Sequence, residues 1–247
     1  MRAGSSAVMA ADFDGPTVHH RVTDSTNDRA RELAIAGAAS GTVVVADEQT
    51  AGRGRTGRKW SAPAGSALLC SAILRPLEAH HALLPLAVPL AVCDAAESLA
   101  PVECQVKWPN DVWLAERKLA GVLIEARPPG WAVIGVGLNL SIPDDGFPAD
   151  LRWPATSLGH GAGVADALAA LRIALGRWTA AGPEEVAAAF GARDALRGRE
   201  VGWEGAGGSG ANGSGRADGI DERGNLIVVT DAGERVSLGA GEVSLRL

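Results

Sequence analysis

Cysteine is scarce in this chain, with three residues in 247. Cys70, Cys93 and Cys104 are odd in number, and no two of them have Cys-x-x-Cys spacing. The sequence therefore predicts neither a disulfide framework nor a zinc site. Three buried thiols in the reduced state are the expected condition of these residues.

Long apolar runs and a leader segment are also missing. Residues 1–16 carry one arginine, several small residues and two acidic residues, which is too weakly apolar for a signal peptide. No run of about 18 apolar residues predicts a membrane span. We expect a soluble cytoplasmic protein without a membrane partner, in which residues 1–16 form a poorly ordered lead.

An excess of positive charge is absent as well. The formal net charge is -6 and the sequence pI is about 5.4. This balance argues against a general polyanion binder, so we expect no nucleic-acid partner. What the chain does have is a hydrophobic fraction of 47% and enough length for a sizeable core. Both are typical of one large domain with or without a small companion.

The composition changes near residue 195. Before it, helical and strand patterns alternate, which predicts a mixed α/β domain over residues 17–194. After it, short strands separated by Gly, Asn and Asp turns predict a small β-barrel over residues 195–247. A Gly/Ser run at 205–215 is interpreted as a long hairpin loop within this barrel.

Apolar periodicity places the elements of the larger domain. The first helix is predicted in TDSTNDRARELAIAGAASG, with Ser25 and Asp28 as a weak capping box and Gly41 closing the segment. Gly135 and Gly137, inside the last apolar strand, indicate close approach of the backbone to another group. Further helices are predicted in LLPLAVPLAVCDAAESLA, GVADALAALRIALGRWTAA and PEEVAAAFGAR, and strands in TVVVADEQ, SALLCSAILRP, VECQVKWPNDVWL, KLAGVLIEAR and WAVIGVGLNLS.

A glycine- and arginine-rich loop, QTAGRGRTGRKW, follows the first valine-rich strand. It concentrates Arg53, Arg55, Arg58 and Lys59 among three glycines in an otherwise acidic protein. It matches neither the P-loop nor the Rossmann fingerprint. Taken alone, the loop has three open interpretations, which are a solvated surface loop, a phosphate site and a nucleic-acid contact.

Three further segments carry polar residues that bear on function. In KWPND, Pro109 makes a defined turn that presents Asn110 and Asp111, although such residues also favour ordinary turns. Lys118 begins the apolar segment KLAGVLIE and on its own would be interpreted as solvated. Asn139 lies in the apolar segment GVGLNL, where an amide needs hydrogen-bond partners and a structural role is the default.

Taken together, four segments resemble those of biotin–protein ligases. DSTND, ADEQTAGRGRTGRKW, KWPNDVWL with KLAGVLIE, and GVGLNLS occur in the order and approximate spacing of that family. DAGERVSLGAGEVSLRL is similar to its C-terminal end, so the resemblance covers residues 17–247. It implies a mixed β-sheet flanked by helices, similar to the class II aminoacyl-tRNA synthetase catalytic domain, and an SH3-like C-terminal β-barrel.

The resemblance also implies a reaction. Members of the family activate biotin with ATP and Mg²⁺ as biotinyl-5′-AMP and then transfer it to one lysine of a biotin carboxyl carrier domain. Because the STN segment begins at Ser25, we expect the monofunctional type without a helix-turn-helix domain or sequence-specific DNA binding. We expect a monomer or a weak homodimer and no metal-ligand set. A lipoate or octanoyl transferase of the same fold and a nucleic-acid-binding module are the competing hypotheses.

Residue by residue, the resemblance implies a site. Lys118, Arg55 and Asp111 are the expected catalytic residues. Lys118 would contact the reacting carboxyl and the α-phosphate, and Asp111 would orient or deprotonate the acceptor lysine. The expected biotin contacts are Ser25, Thr26, Asn27, Gln49, Gly52, Arg53, Gly54, Arg55 and Lys118. The expected nucleotide contacts are Arg55, Arg58, Trp60, Asn110 and Asn139.

Overall fold

The computed structural model describes residues 13–159, 161–204, 212–240 and 242–245. Residues 1–12 of the predicted lead and residues 205–211 of the predicted Gly/Ser loop lie outside this part of the chain. Phe13, which the prediction assigned to the lead, is buried in the core at 3% exposure. The packed part of the chain therefore begins before residue 17.

The larger domain is built on a mixed sheet of seven strands in the order β1-β2-β3-β7-β6-β5-β4. β1 and β2 are parallel, and the other neighbours are antiparallel. This arrangement confirms the predicted mixed sheet. The strands are β1 (Thr17–Thr23), β2 (Val43–Gln49), β3 (Ala67–Leu74), β4 (Cys104–Lys107), β5 (Asp111–Leu114), β6 (Arg117–Arg127) and β7 (Trp131–Asn139).

Helices cover both faces of this sheet. They are α1 (Thr26–Ile35), α2 (Leu84–Leu99), α3 (Val164–Ala180) and α4 (Pro183–Arg193). α1 packs on one face, where Ala30, Val44 and Val133 belong to a small separate core. α2 and α3 close the main core on the other face. Every residue of β3 is buried, as expected for a strand that is covered on both sides.

The helix α2 is apolar enough to satisfy a membrane-span criterion. Ala79–Leu99 passes by length and composition, but 67% of the apolar window is buried inside the protein. Its place at the centre of the core accounts for its composition. Pro85 lies in its first turn, where a proline is tolerated, and the helix continues through Pro89.

Two features of the N-terminal region differ from the sequence prediction. The strand β1 was not predicted, because its residues alternate between exposed and half-buried positions and include two histidines. Its place in the sheet comes from pairing with the buried strand β2. The predicted capping box is wrong, since Ser25 makes no side-chain cap bond. α1 also ends at Ile35, before Gly41.

The C-terminal residues form a five-stranded antiparallel sheet, as the turn-rich pattern predicted. Its order is β11-β10-β9-β8-β12. The strands are β8 (Glu200–Glu204), β9 (Gly213–Ile220), β10 (Leu226–Val229), β11 (Arg235–Leu238) and β12 (Glu242–Leu245). Since β9 begins at Gly213, the end of the predicted loop at 205–215 belongs to a strand. Closure of this sheet into a barrel and the boundary at residue 195 stay predictions.

Two hydrogen bonds link the C-terminal part of the chain to β4 and to the KWPND turn that follows it. The indole Nε1 of Trp108 donates to the Gly224 carbonyl at 3.0 Å. The backbone N–H of Ala195 donates to the Val106 carbonyl at 3.0 Å. Trp108 is 2% exposed, so the bond lies in a dry environment where it is difficult to replace by water. The turn is therefore held from both domains.

Arg193 ties α4 to α2 and β4. Its guanidinium donates to both carboxylate oxygens of Glu97, at 2.5 and 2.8 Å, and to the Asp94 carboxylate at 3.2 Å. It also donates to the Cys104 carbonyl at 3.1 Å. Planar bidentate pairing of this kind is the strong form of an ion pair.

Replacing Arg193 should therefore destabilise the fold. We expect Arg193→Met to lower the free energy of unfolding by about 1.5–3 kcal/mol, because charge-assisted bonds are lost and two carboxylates keep a half-buried position. Arg235→Met, which breaks an exposed pair with Asp218, is the matched control and should cost less than about 1 kcal/mol. Urea unfolding of both variants tests this. Equal losses would contradict the structural role of Arg193.

Candidate active site

A cavity of about 530 Å³ opens on the face of the seven-stranded sheet at β6 and β7. The start of α1, the Gly/Arg loop, the KWPND turn and the segment 147–155 form its walls. These elements are distant in sequence, and the sheet brings them together. The predicted site residues that line it are Ser25, Thr26, Asn27, Gln49, Arg53, Gly54, Arg55, Arg58, Trp60, Asn110, Asp111, Lys118 and Asn139.

A closed hydrogen-bond network forms the polar end of the cavity. Gln49 Oε1 accepts from the Thr26 backbone N–H at 2.7 Å and from the Thr26 hydroxyl at 3.0 Å. Ser71 Oγ lies 2.8 Å from Thr26 Oγ1 and 2.6 Å from Asn27 Oδ1. Asn27 Nδ2 donates to the Glu125 carboxylate at 2.9 Å. These bonds fix the amide and hydroxyl groups in one orientation, as a site that recognises a polar ring requires.

Ser71 was not predicted. It is fully buried in β3, and both of its side-chain contacts are with predicted site residues. The available signal was the single hydroxyl within the apolar strand ALLCSAIL. A buried hydroxyl needs a partner, so its presence indicated a polar group on the same face of the sheet.

The glycines of β7 allow side chains to lie directly on the strand, as predicted from their position. A Cβ atom on Gly135 would stand 2.0 Å from Asn27 Oδ1. A Cβ atom on Gly137 would stand 2.4 Å from Trp60 Cε2. The indole Nε1 of Trp60 is buried and has no partner within the part of the chain that the structure describes. A ligand acceptor in the cavity would satisfy this donor.

Lys118 and Asp111 form an ion pair in the middle of the cavity. Lys118 Nζ lies 2.7 Å from Asp111 Oδ1, and Asp111 is 6% exposed. The same Nζ lies 5.5 Å from the centre of the Trp60 ring. The backbone of Lys118 is bonded on both sides, to the Pro154 carbonyl and the Thr156 N–H. The ammonium is therefore held in place within the cavity.

Lys107 is a second lysine in the same cavity, and sequence reasoning assigned it no role. It is 5% exposed at the end of β4 and faces Asp111 across the β4–β5 pair. Its Nζ lies 5.5 Å from the Trp153 ring centre and 5.7 Å from that of Trp113. Burial lowers the pKa of Lys107 to about 8. In the sequence, the only indication of a role for Lys107 was its position between a buried strand and a tight turn.

The Gly/Arg loop is anchored by protein contacts. Arg53 Nη2 donates to Asp28 at 2.9 Å and to Glu125 at 3.0 Å. Arg55 Nη2 donates to the Ala240 carbonyl of the C-terminal domain at 2.8 Å. Both arginines line the cavity, and these bonds hold the loop in its present position.

Gly52, which is among the predicted biotin contacts, has a structural role in the loop. It does not line the cavity but closes the base of the loop, where its carbonyl accepts from the Trp60 N–H at 2.9 Å. A Cβ at Gly52 would stand 2.4 Å from the Trp60 carbonyl oxygen. Only glycine fits this crossing of the two chain segments, which explains its place in the loop.

The two predicted nucleotide-side asparagines each use their amide nitrogen to hold the backbone. Asn110 Nδ2 donates to the Val122 carbonyl at 2.7 Å. Asn139 Nδ2 donates to the Thr156 carbonyl at 2.9 Å. The first bond joins the KWPND turn to β6, and the second joins β7 to Thr156, which directly follows the segment 147–155. Each amide thus has a structural role on the cavity wall, which was the default expectation for Asn139.

The chemistry of the cavity favours binding of an anion over covalent catalysis. Cys70 lines it, but burial raises the pKa of its thiol to about 12, so it is not a nucleophile at neutral pH. Among the lining residues that the structure describes, seven are basic and two are acidic. The protein as a whole carries a net charge of -6. The cavity therefore concentrates positive charge against the overall balance, as an anion site requires.

Comparison with known families agrees with this arrangement. A model described as the Biotin/lipoate A/B protein ligase family matches residues 19–139, and one described as the Biotin protein ligase C terminal domain matches residues 208–246. The Biotin--[acetyl-CoA-carboxylase] ligase of Mycobacterium tuberculosis is 37% identical over 90% of this chain and 85% of its own length. That of Paracoccus denitrificans is 35% identical over 87% of this chain and 94% of its own length.

Other relatives are longer. The Bifunctional ligase/repressor BirA of Bacillus subtilis is 39% identical over 59% of this chain, and the match spans about half, 47%, of that protein. Among solved structures, a biotin protein ligase from Aquifex aeolicus in complex with biotin and ATP superposes with a TM-score of 0.78 at 28% identity. That match covers 94% of this chain and 98% of that one.

The close contact between Gly137 and the Trp60 ring gives a test of the cavity geometry. We expect Gly137→Ala to lower the free energy of unfolding by about 1–3 kcal/mol, because the added methyl group must displace the indole. Gly191→Ala in α4 is the control, since its Cβ would meet no atom closer than 4.0 Å. Urea unfolding measures both. A Gly137→Ala protein as stable as the control would show that the ring does not lie on β7.

Proposed function

The chain belongs to the biotin/lipoate A/B protein ligase family, and from this premise we propose that it is an ATP-dependent biotin–protein ligase. The observation that carries the proposal is that four segments distant in sequence line one cavity with a polar end and a cationic middle. The named relatives that match most of this chain are biotin--[acetyl-CoA-carboxylase] ligases. The acceptor is then a lysine of a carboxylase's biotin carboxyl carrier domain.

In the first step, a carboxylate oxygen of biotin attacks the α-phosphorus of ATP. The phosphorus–oxygen bond to pyrophosphate breaks, and the leaving pyrophosphate takes the electron pair. Lys118 would stabilise the charge that develops on the phosphoryl oxygens, because its ammonium is fixed in the middle of the cavity. The network of Thr26, Asn27 and Gln49 would hold the polar ring of biotin at the other end.

In the second step, the acceptor amine attacks the acyl carbon of biotinyl-5′-AMP and AMP leaves. The attacking amine must be neutral, and the proton that it loses as the amide bond forms passes to water. Asp111 is the cavity's buried carboxylate, and its Oδ1 already contacts Lys118. We therefore place Asp111 as the residue that positions Lys118 in both steps, with orientation of the acceptor amine as a second task. Arg53 and Arg55 would close the loop over the adenylate once their present bonds yield.

Magnesium would enter as part of the MgATP substrate. In nucleotide sites Mg²⁺ keeps several waters and binds substrate phosphates with one or two carboxylates rather than a protein cage. Within the described residues, no group of three or more His, Cys, Asp or Glu side chains is placed to hold a metal ion. Asp111 and Asp150, the carboxylates that line the cavity, are the residues that would contact a metal carried by the nucleotide.

The wild-type protein should catalyse biotin-dependent exchange of labelled pyrophosphate into ATP, and Lys118→Gln should slow it by about 10²–10³-fold through loss of charge stabilisation. Arg21→Gln, at an exposed position on β1, is the control and should retain exchange. Exchange that depends on lipoate instead of biotin would identify the other branch of the family. No exchange with either acid would contradict the proposed function.

Asp111→Asn should impair both half-reactions, because Lys118 loses its partner. We expect the exchange rate and the rate of single-turnover transfer from preformed biotinyl-5′-AMP to the carrier each to fall at least about tenfold, the loss of one charge-assisted contact. Circular dichroism checks that the variant is folded. If transfer alone were slowed, Asp111 would act on the acceptor amine and not through Lys118.

A further inference from the structure

Lys107 is a buried cation without an ion-pair partner. It is 5% exposed. Within residues 13–159, 161–204 and 212–240, no carboxylate pairs with its Nζ. Its register neighbour Asp111 has an oxygen 2.7 Å from Lys118 Nζ. An ammonium removed from water without a direct ion pair is unfavourable, even with the Asp111 carboxylate nearby, so folding keeps Lys107 charged there at a cost to stability.

The surroundings of Lys107 leave its charge unneutralised. Its Nζ lies above the rings of Trp113 and Trp153, at 5.7 and 5.5 Å. Such contacts attract a cation but do not cancel its charge. On its remaining side Lys107 lines the cavity with Lys118. This ammonium can therefore donate hydrogen bonds to a ligand bound in the cavity.

We propose that Lys107 is a second substrate-binding cation of the adenylation site and that its ligand is the polyphosphate of ATP, held until it departs as pyrophosphate. The proposal rests on the proposed function. Lys118 is the cation assigned to the α-phosphate and the biotin carboxylate. A triphosphate extends beyond the reach of one ammonium, and Lys107 is the next buried cation, on the other side of Asp111.

In this reaction Lys107 would stabilise negative charge and would form no covalent bond. When the α-phosphorus bond breaks, the electron pair moves to the pyrophosphate oxygens. An ammonium fixed beside those oxygens stabilises them, because a preorganised charge in a dry site needs no rearrangement during the step. Biotin carries one carboxylate, and Lys118 is already assigned to it. A second cation at this place therefore matches the phosphates of the nucleotide and not biotin.

Kinetics of two Lys107 variants test the proposal. We expect Lys107→Gln to raise the KM for ATP in pyrophosphate exchange about tenfold to hundredfold, the loss of one charge-assisted contact, while the KM for biotin stays within about twofold. Lys107→Arg should restore most of the ATP affinity, since the charge returns. Arg21→Gln, which removes one exposed charge, is the control and should leave both constants unchanged.

Transfer from preformed biotinyl-5′-AMP separates this role from others. Pyrophosphate is absent from that step, so Lys107→Gln should transfer biotin to the carrier at the wild-type rate. Its melting temperature should equal or exceed that of the wild type, because a buried charge is gone. A normal KM for ATP, or slow transfer with normal exchange, would overturn the proposal. Lack of exchange by the wild type would instead reject the proposed function.

The pH dependence of ATP binding gives a second readout. Burial lowers the pKa of Lys107, Asp111 raises it, and Lys118, Arg152 and Arg58 lower it further, to about 8. Lys107 carries its positive charge below this pKa and loses that charge above it. The wild-type KM for ATP should therefore rise between about pH 7 and pH 9, whereas Lys107→Arg stays charged and its profile should be flatter. Parallel profiles would contradict the assignment.

Discussion

The carboxylate of Asp111 sets the charge balance on which the cavity depends. It contacts Lys118 at 2.7 Å and lies across the strand pair from Lys107. Two ammonium groups in a dry space would repel each other, and one negative charge between them reduces that repulsion. The pair of lysines still keeps an excess of one positive charge. The site therefore keeps a net positive charge, as the two anionic substrates of the proposed reaction require.

The fold supplies this arrangement through the sheet and its connection to the C-terminal domain. β4, β5 and β6 are adjacent, so Lys107, Asp111 and Lys118 come together without long loops. The turn between β4 and β5 is fixed by the bond from Trp108 to Gly224. Arg55 bonds to Ala240 in the same C-terminal domain. Movement of the Gly/Arg loop is thereby coupled to contacts between the two domains.

Much of this could be predicted from the sequence, and the rest shows where such reasoning stops. Apolar periodicity placed the buried strands and helices, because their burial is strong and regular. β1 was missed because pairing with β2, not side-chain burial, defines it. Lys118 and Asp111 came under consideration through the resemblance to biotin–protein ligases, because each residue on its own has an ordinary interpretation. The roles of Lys107 and Ser71 in the cavity depend on which groups face them across the sheet. The pattern of residues along the chain does not contain that information.

In the proposed reaction, a biotin carboxylate oxygen becomes bonded to the α-phosphorus of ATP within the cavity. Biotin with a heavy oxygen isotope in the carboxylate, incubated with MgATP and a carrier domain, tests this step through mass spectrometry of the released AMP. We expect one heavy oxygen in each AMP, because the attacking oxygen stays on phosphorus when the amine attacks the acyl carbon. Unlabelled AMP alongside biotinylated carrier would contradict it.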